Sequence, residues 1–238
     1  MQQRFLALFL FALIALGAAA HKPRILVFSK TAGYRHSMIG PGKLAIMKLG
    51  RENGFEVDTT EDASVFTDKN LARYGAIVFL STTGTILDSA EKMAMERFIE
   101  SGKGFVGVHA ATDTEYDWGW YGKLVGAYFL KHPNQQQATL HVVDSTDIST
   151  RHLPTTWSRF DEWYNFKDIQ PDLHVLITID EHSYTGGVNG DFHPMAWKHS
   201  YDGGRAFYTE LGHTDVSWSD PLYLQHVLGG IKYALGEK

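Results

Sequence analysis

The sequence contains no cysteine. This single absence excludes thiol nucleophiles, thiolate metal sites and disulfides together, and it is compatible with an oxidising compartment. There is also no excess of basic residues: 22 Lys and Arg stand against 27 Asp and Glu, a formal net charge of −5. With no basic patch along the chain, nucleic acid is excluded as a partner. No serine occupies a G-x-S-x-G elbow, which removes the usual signature of a serine hydrolase. No H-E-x-x-H spacing exists either, so no local zinc motif can be read. Beyond the first twenty residues no run is apolar enough to span a bilayer, which takes roughly 20 residues. Repeats, low-complexity stretches and interdomain linkers are lacking, and residues 21–238 are therefore read as one domain.

The N-terminus carries one charge, Arg4, then an apolar run from Phe5 to Leu16 and Ala18-Ala19-Ala20. This is the pattern of a secretory signal peptide over residues 1–20, cleaved after Ala20. It predicts an exported protein, periplasmic or secreted, with no membrane attachment after cleavage. The following half alternates strand and helix patterns. Strands are expected at 24–29, 55–60, 75–82 and 104–109, and helices at 43–53, 68–74 and 88–101. Apolar strands separated by helices predict an α/β fold with a parallel sheet covered on both faces. The second half predicts a helix over 120–129 and strands at 137–144 and 173–180. It also predicts an aromatic strand or turn at 160–166, a hairpin through 194–213, and a last helix over 221–235.

Ligands of parallel α/β sheets bind beyond the carboxyl ends of the strands. The stretch "GKGFVGVHAATD" (102–113) runs apolar through Phe105, Val106 and Val108 and ends at His109 between small residues. His36 and His213 also follow predicted strands. A lone histidine after a strand usually serves as a loop hydrogen-bonder, but three at one sheet edge argue for a shared pocket. Histidine titrates near neutral pH and suits proton transfer. Two other chemistries stay open at this point. Histidines with a carboxylate also bind divalent metals, and paired carboxylates, Asp113 or Glu115 with Glu162, would suit glycoside hydrolysis.

The segments "KTAGYRHSMI", "GFVGVHAATDT", "DEWYNF", "HPMAWKHSYDGGRAFYTELGHT" and "DPLYLQHVLGGIKYALG" together resemble the ThuA-like (trehalose utilisation) family, from about Pro23 to Leu235. That resemblance implies a flavodoxin-like, doubly wound, mostly parallel sheet of the class I glutamine amidotransferase type, with added β elements in the second half. By the same analogy His109 stands at the elbow where those enzymes place a cysteine, and His213-Thr214-Asp215 resembles their His-x-Glu. Amidotransfer is not implied, because the nucleophile is missing. The family implies sugar metabolism, including trehalose, related disaccharides and their 3-keto derivatives.

The expectation is a carbohydrate-active enzyme working by acid–base chemistry without a covalent nucleophile. His109, His213 and Glu162 are the expected catalytic residues, with Lys30, Tyr34, His36, Tyr164, His193 and Trp197 in substrate binding. No metal ligand is assigned and no cofactor is required, although a divalent metal stays open. The expected partner is a small-molecule sugar, with homo-oligomerisation also open. A non-catalytic sugar-binding protein and a metal-dependent hydrolase are the alternatives.

Overall fold

A computed structural model of the chain describes residues 22–237; the expected signal peptide at 1–20 lies outside them. The first half is built as its patterns predict. Strand β1 (Arg24–Phe28) leads to helix α1 (Ile39–Asn53), strand β2 (Glu56–Thr60), helix α2 (Asp68–Leu71), strand β3 (Ala76–Leu80), helix α3 (Ser89–Glu100) and strand β4 (Gly104–Val108). Every residue of β3 and β4 is buried, because helices cover both faces of the sheet there. Asp88 caps α3 by accepting from the amides of Ala90 and Glu91, while the Glu91 carboxylate accepts from the Asp88 amide. This reciprocal box satisfies backbone donors that the first turn would otherwise leave open.

Helix α1 begins four residues before the expected 43–53 span. The Gly40-Pro41-Gly42 run reads as a loop in sequence, yet a proline in the first helical turn gives up no intrahelical hydrogen bond. In the second half, helix α4 (Gly119–Val125) stops at Gly126, short of the expected 120–129. The residues that follow form strand β5 (Tyr128–Lys131), paired with strand β8 (Asn165–Lys167) in a separate two-stranded sheet. The remaining elements are strands β6 (Gln136–Val142), β7 (Thr156–Asp161), β9 (His174–Ile179), β10 (His193–Tyr201) and β11 (Gly204–Thr209), and helix α5 (Pro221–Leu235).

Among the described residues, the main sheet has nine strands in the order β2-β1-β3-β4-β11-β10-β9-β6-β7. The run β2-β1-β3-β4-β11 is parallel throughout. It is the strand order of a flavodoxin-like doubly wound fold, with β11 in fifth place. From β11 onward the pairing is antiparallel, so the added β elements of the second half extend the same sheet. The hairpin β10–β11 joins the two parts, turning through Asp202 and Gly203, both at positive φ.

Candidate functional site

The carboxyl ends of β1, β4 and β11 lie on one edge of the parallel run, and each sends a histidine toward the same point. His109 follows β4 directly, with φ 49°, in the left-handed region that a non-glycine residue rarely adopts. Such strain is held only where surrounding contacts over-determine it. Here they are visible. Tyr208 donates its hydroxyl to the His109 carbonyl at 2.7 Å, and the ring is fully buried. A Cβ on Gly107 would stand 2.9 Å from Tyr208 Cδ2 and 3.2 Å from Ala111 Cβ. The small residues around the elbow are therefore a packing requirement of the turn.

The His109 ring has a fixed proton. Its Nδ1 lies 2.8 Å from the Glu210 carbonyl oxygen, which can only accept, so Nδ1 carries the hydrogen. In the neutral ring Nε2 is left bare, 3.0 Å from Nδ1 of His213 and 3.5 Å from Oε2 of Glu162. Glu162 Oε2 is in turn 3.1 Å from His213 Nδ1, and Oε1 is 3.3 Å from Nδ1 of His132. Burial pushes the Glu162 carboxyl up, but the neighbouring His109 and His213 rings outweigh it and hold the group well below the usual carboxylate range. His36 completes the cluster. Its ring meets those of His109 and His213 edge-on, with centroids 4.9 and 5.2 Å apart. Burial first, then the neighbouring His109 and His213, lower its pKa to about 3, so it is neutral at working pH.

Above this cluster opens a cavity of about 410 Å³ lined by Tyr34, His36, Asp113, Phe129, His132, Gln135, Glu162, Tyr164 and His213. Tyr164 lies over His109 with ring centroids 4.4 Å apart and packs on Phe129 at 4.3 Å. Tyr34 is 67% exposed at the mouth. Asp113 accepts from the Tyr116 hydroxyl at 2.6 Å, and burial raises its carboxyl above the ordinary range. His36, His109, Glu162 and His213 each offer a donor atom, and the four atoms lie within 4.8 Å of one another. These are the residues that could hold a metal ion.

Of the expected binding residues, Tyr34, His36 and Tyr164 line this cavity, and three others do not. Trp197 is wholly buried in β10, where its indole donates to the Val125 carbonyl and stacks on Tyr208 at 4.3 Å; it is core. His193 is also fully buried, its nitrogens 2.8 Å from the Glu181 carboxylate and 2.8 Å from the Tyr164 carbonyl. It ties the 181–190 segment to the back of Tyr164. Lys30 donates to the Ile86 carbonyl at 2.8 Å, bracing the loop before α3. The suggested His-x-Glu likeness is also corrected: Asp215 accepts from Ser37 at 2.9 Å, and the carboxylate beside His213 is Glu162. Glu115, weighed as a hydrolytic carboxylate, is buried against Lys92 and accepts from the amides of Ile86 and Leu87.

Two supporting carboxyl groups carry no local sequence motif. Asp161, fully buried, accepts from the amides of Gly212 and Thr214 at 3.0 and 3.3 Å and so fixes the loop that bears His213. Gly212 has φ 104°, and a Cβ there would fall 2.0 Å from the Tyr223 hydroxyl, so no other residue fits the turn. Glu210 is fully buried; one oxygen accepts from the Tyr164 amide at 3.1 Å and the other has no partner. Burial, with Asp161 adding repulsion, raises its carboxyl well above the usual range, which favours the neutral form. The polar residue that ends the apolar strand in "GRAFYTELGH" was the one available hint of it.

Solved structures share this architecture. A ThuA-like protein from Bacteroides uniformis superposes with a TM-score of 0.77 at 24% identity, over 94% of this chain and 95% of that one. Another from Parabacteroides merdae gives 0.75 at 17% identity, over 91% of each chain. Part of a β-galactosidase from Bacillus circulans sp. alkalophilus gives 0.60 at 11% identity, covering 91% of this chain and 31% of that one. No curated protein matches the sequence. The profile of the ThuA family, described as trehalose utilisation, matches residues 24–234, nearly the whole length of the described fold. The chain belongs to the ThuA family, and its role is sugar-related.

Proposed function

We propose that the protein is an exported enzyme acting on a sugar or a 3-keto sugar by acid–base chemistry at the His109–His213–Glu162 cluster. The observation that carries this reading is the convergence of those three side chains below a cavity of about 410 Å³ with aromatic walls. A cavity of that size suits a small ligand, and a few convergent polar groups among rings would fix its orientation. Tyr34, Phe129 and Tyr164 would pack on the faces of a sugar ring. A keto group acidifies the adjacent C–H, and the bare Nε2 of His109 or the Glu162 carboxylate would take that proton. Asp113, neutral to higher pH than an ordinary aspartate, would return one to the departing or forming hydroxyl. Elimination, hydration or epimerisation of this kind needs no covalent nucleophile, in keeping with an elbow that carries histidine.

The test is incubation of the purified protein with a panel of disaccharides and their 3-keto forms, read by mass and NMR. Product formation should fall by about 10²-fold or more in His109→Ala and His213→Ala, the usual worth of a positioned acid or base. Ligand-induced thermal stabilisation without product, or full turnover by both variants, overturns the proposal.

A further inference from the structure

We infer that His36, His109, Glu162 and His213 form a binding site for a divalent transition-metal ion of the zinc type. The distances His109 Nε2–His213 Nδ1, His213 Nδ1–Glu162 Oε2 and His109 Nε2–Glu162 Oε2 are 3.0, 3.1 and 3.5 Å. Ligands held about 2.0–2.1 Å from a tetrahedral ion lie roughly 3.3–3.4 Å from one another. The triangle is thus already the size of one face of such a tetrahedron. His36 supplies a fourth donor within 4.8 Å of the other three.

Hydrogen bonding alone does not satisfy this cluster. With the proton of His109 committed to the Glu210 carbonyl, Nε2 faces a carboxylate oxygen, one acceptor against another. The single hydrogen that His213 Nδ1 can bring serves both only by being shared. Nδ1 of His36 is buried with no hydrogen-bond partner. A cation at the centre accepts all these lone pairs at once. The outer contacts are also those that orient metal-binding histidines. His109 donates its far N–H to a main-chain carbonyl, and Nε2 of His213 lies 2.8 Å from the Gln135 side-chain amide. A glutamine amide presents either nitrogen or oxygen in one position. With its oxygen inward it holds the proton on Nε2 and frees Nδ1 for the ion.

Three imidazoles and a carboxylate favour zinc or a neighbouring first-row ion over magnesium or calcium, which prefer oxygen ligands. Because His36, Glu162 and His213 line the cavity, the ion would face any sugar hydroxyl or carbonyl held there and polarise it. With His109 Nε2 and Glu162 Oε2 taken up as ligands, the proton of the adjacent C–H would then pass to the second carboxylate oxygen of Glu162, Oε1. That catalytic part rests on the proposed sugar reaction, whereas the binding of the ion does not.

The test uses chelator-stripped, purified protein titrated with Zn²⁺ by calorimetry and with Co²⁺ by visible absorption. About one equivalent of each should bind, with the intense Co²⁺ bands of a four- or five-coordinate site. His213→Ala, Glu162→Ala and His36→Ala should each weaken binding by roughly 100-fold or more, beyond the 10–100-fold typical of outer-shell changes. His174→Ala, at an exposed histidine paired with Asp144, should bind as the parent does. The Co²⁺ spectrum of the unmutated protein decides the matter if a variant does not fold. Binding of much less than one equivalent, or binding undiminished in folded His213→Ala and Glu162→Ala, overturns the site. One bound equivalent without turnover of any sugar supports the site and overturns the sugar reading. Equal turnover with and without the ion overturns only the catalytic part.

Discussion

Nδ1 of His213 stands 3.0 Å from Nε2 of His109, and because the other nitrogen of His109 is bound to a carbonyl, at most one proton can lie between the two rings. The pair is a matched donor and acceptor whose polarity is set from behind by the main chain of Glu210. Each of the following outcomes depends on a contact that holds this pair or the sheet beneath it.

Glu210→Gln should cost less than about 1 kcal/mol, because a neutral carboxyl and an amide both accept from the Tyr164 amide. Glu210→Ala should cost about 2–4 kcal/mol, since it leaves a buried N–H unpaired and a cavity beside it. Urea unfolding of both variants measures the difference. A loss in the glutamine variant as large as in the alanine variant would show that Glu210 is ionised.

Gly107→Ala should destabilise the fold by about 1–3 kcal/mol, the usual cost of overpacking, since its new methyl meets Tyr208 and Ala111. Turnover should fall more than stability explains, because Tyr208 also holds the His109 carbonyl. Wild-type kcat with a lowered melting temperature would separate the elbow from the chemistry.

Trp197→Phe should leave KM for any substrate within about twofold while lowering stability by about 1–3 kcal/mol, as for a large core side chain that loses volume and a buried hydrogen-bond donor. A large rise in KM at unchanged stability would return Trp197 to the binding surface.

Stability should fall as the pH drops from about 6.5 toward 4, in part through His226. Burial lowers the pKa of this histidine from 6.5 to about 4, and its nitrogens lie 2.9 Å from the Ser149 carbonyl and 3.1 Å from Thr209 Oγ1. In that window the unfolded chain binds the extra proton, so the slope of stability against pH is positive. The contribution is present in full above about 6.5 and levels off below 4, on the order of 3 kcal/mol in all. In His226→Gln the slope should flatten by close to one proton. An unchanged slope in chemical denaturation at pH 4.5–6.5 would refute it.

The parallel half was legible because its signals are local: apolar runs, the Asp88 cap, and histidines directly after strands. His36, His109 and His213 could be placed at one edge from that pattern alone, and Glu162 from the aromatic residues around it. The order of β10, β9, β6 and β7 was not legible, since those strands pair across long separations that leave no periodic trace. Lys30, His193 and Trp197 were drawn into the site by motif likeness, which does not distinguish a side chain facing a cavity from one facing the core. The first five positions of β10 are buried without a break, so inward and outward positions do not alternate in polarity there. Asp161 and Glu210 were missed as supports because most of their partners are backbone amides, and any sequence supplies those.

The hairpin between β10 and β11 has one more consequence. His36 and His109 belong to the parallel run, whereas Glu162 follows β7 at the far margin of the antiparallel extension. The reactive cluster therefore exists in neither portion alone. It comes into being only when the extension has closed against the parent sheet, so a ligand or ion seated there would act as a clasp. Occupancy would raise the resistance of the whole molecule to unfolding, and the margin strand β7, paired to a neighbour on one side only, would be the first element to report it as slowed amide exchange.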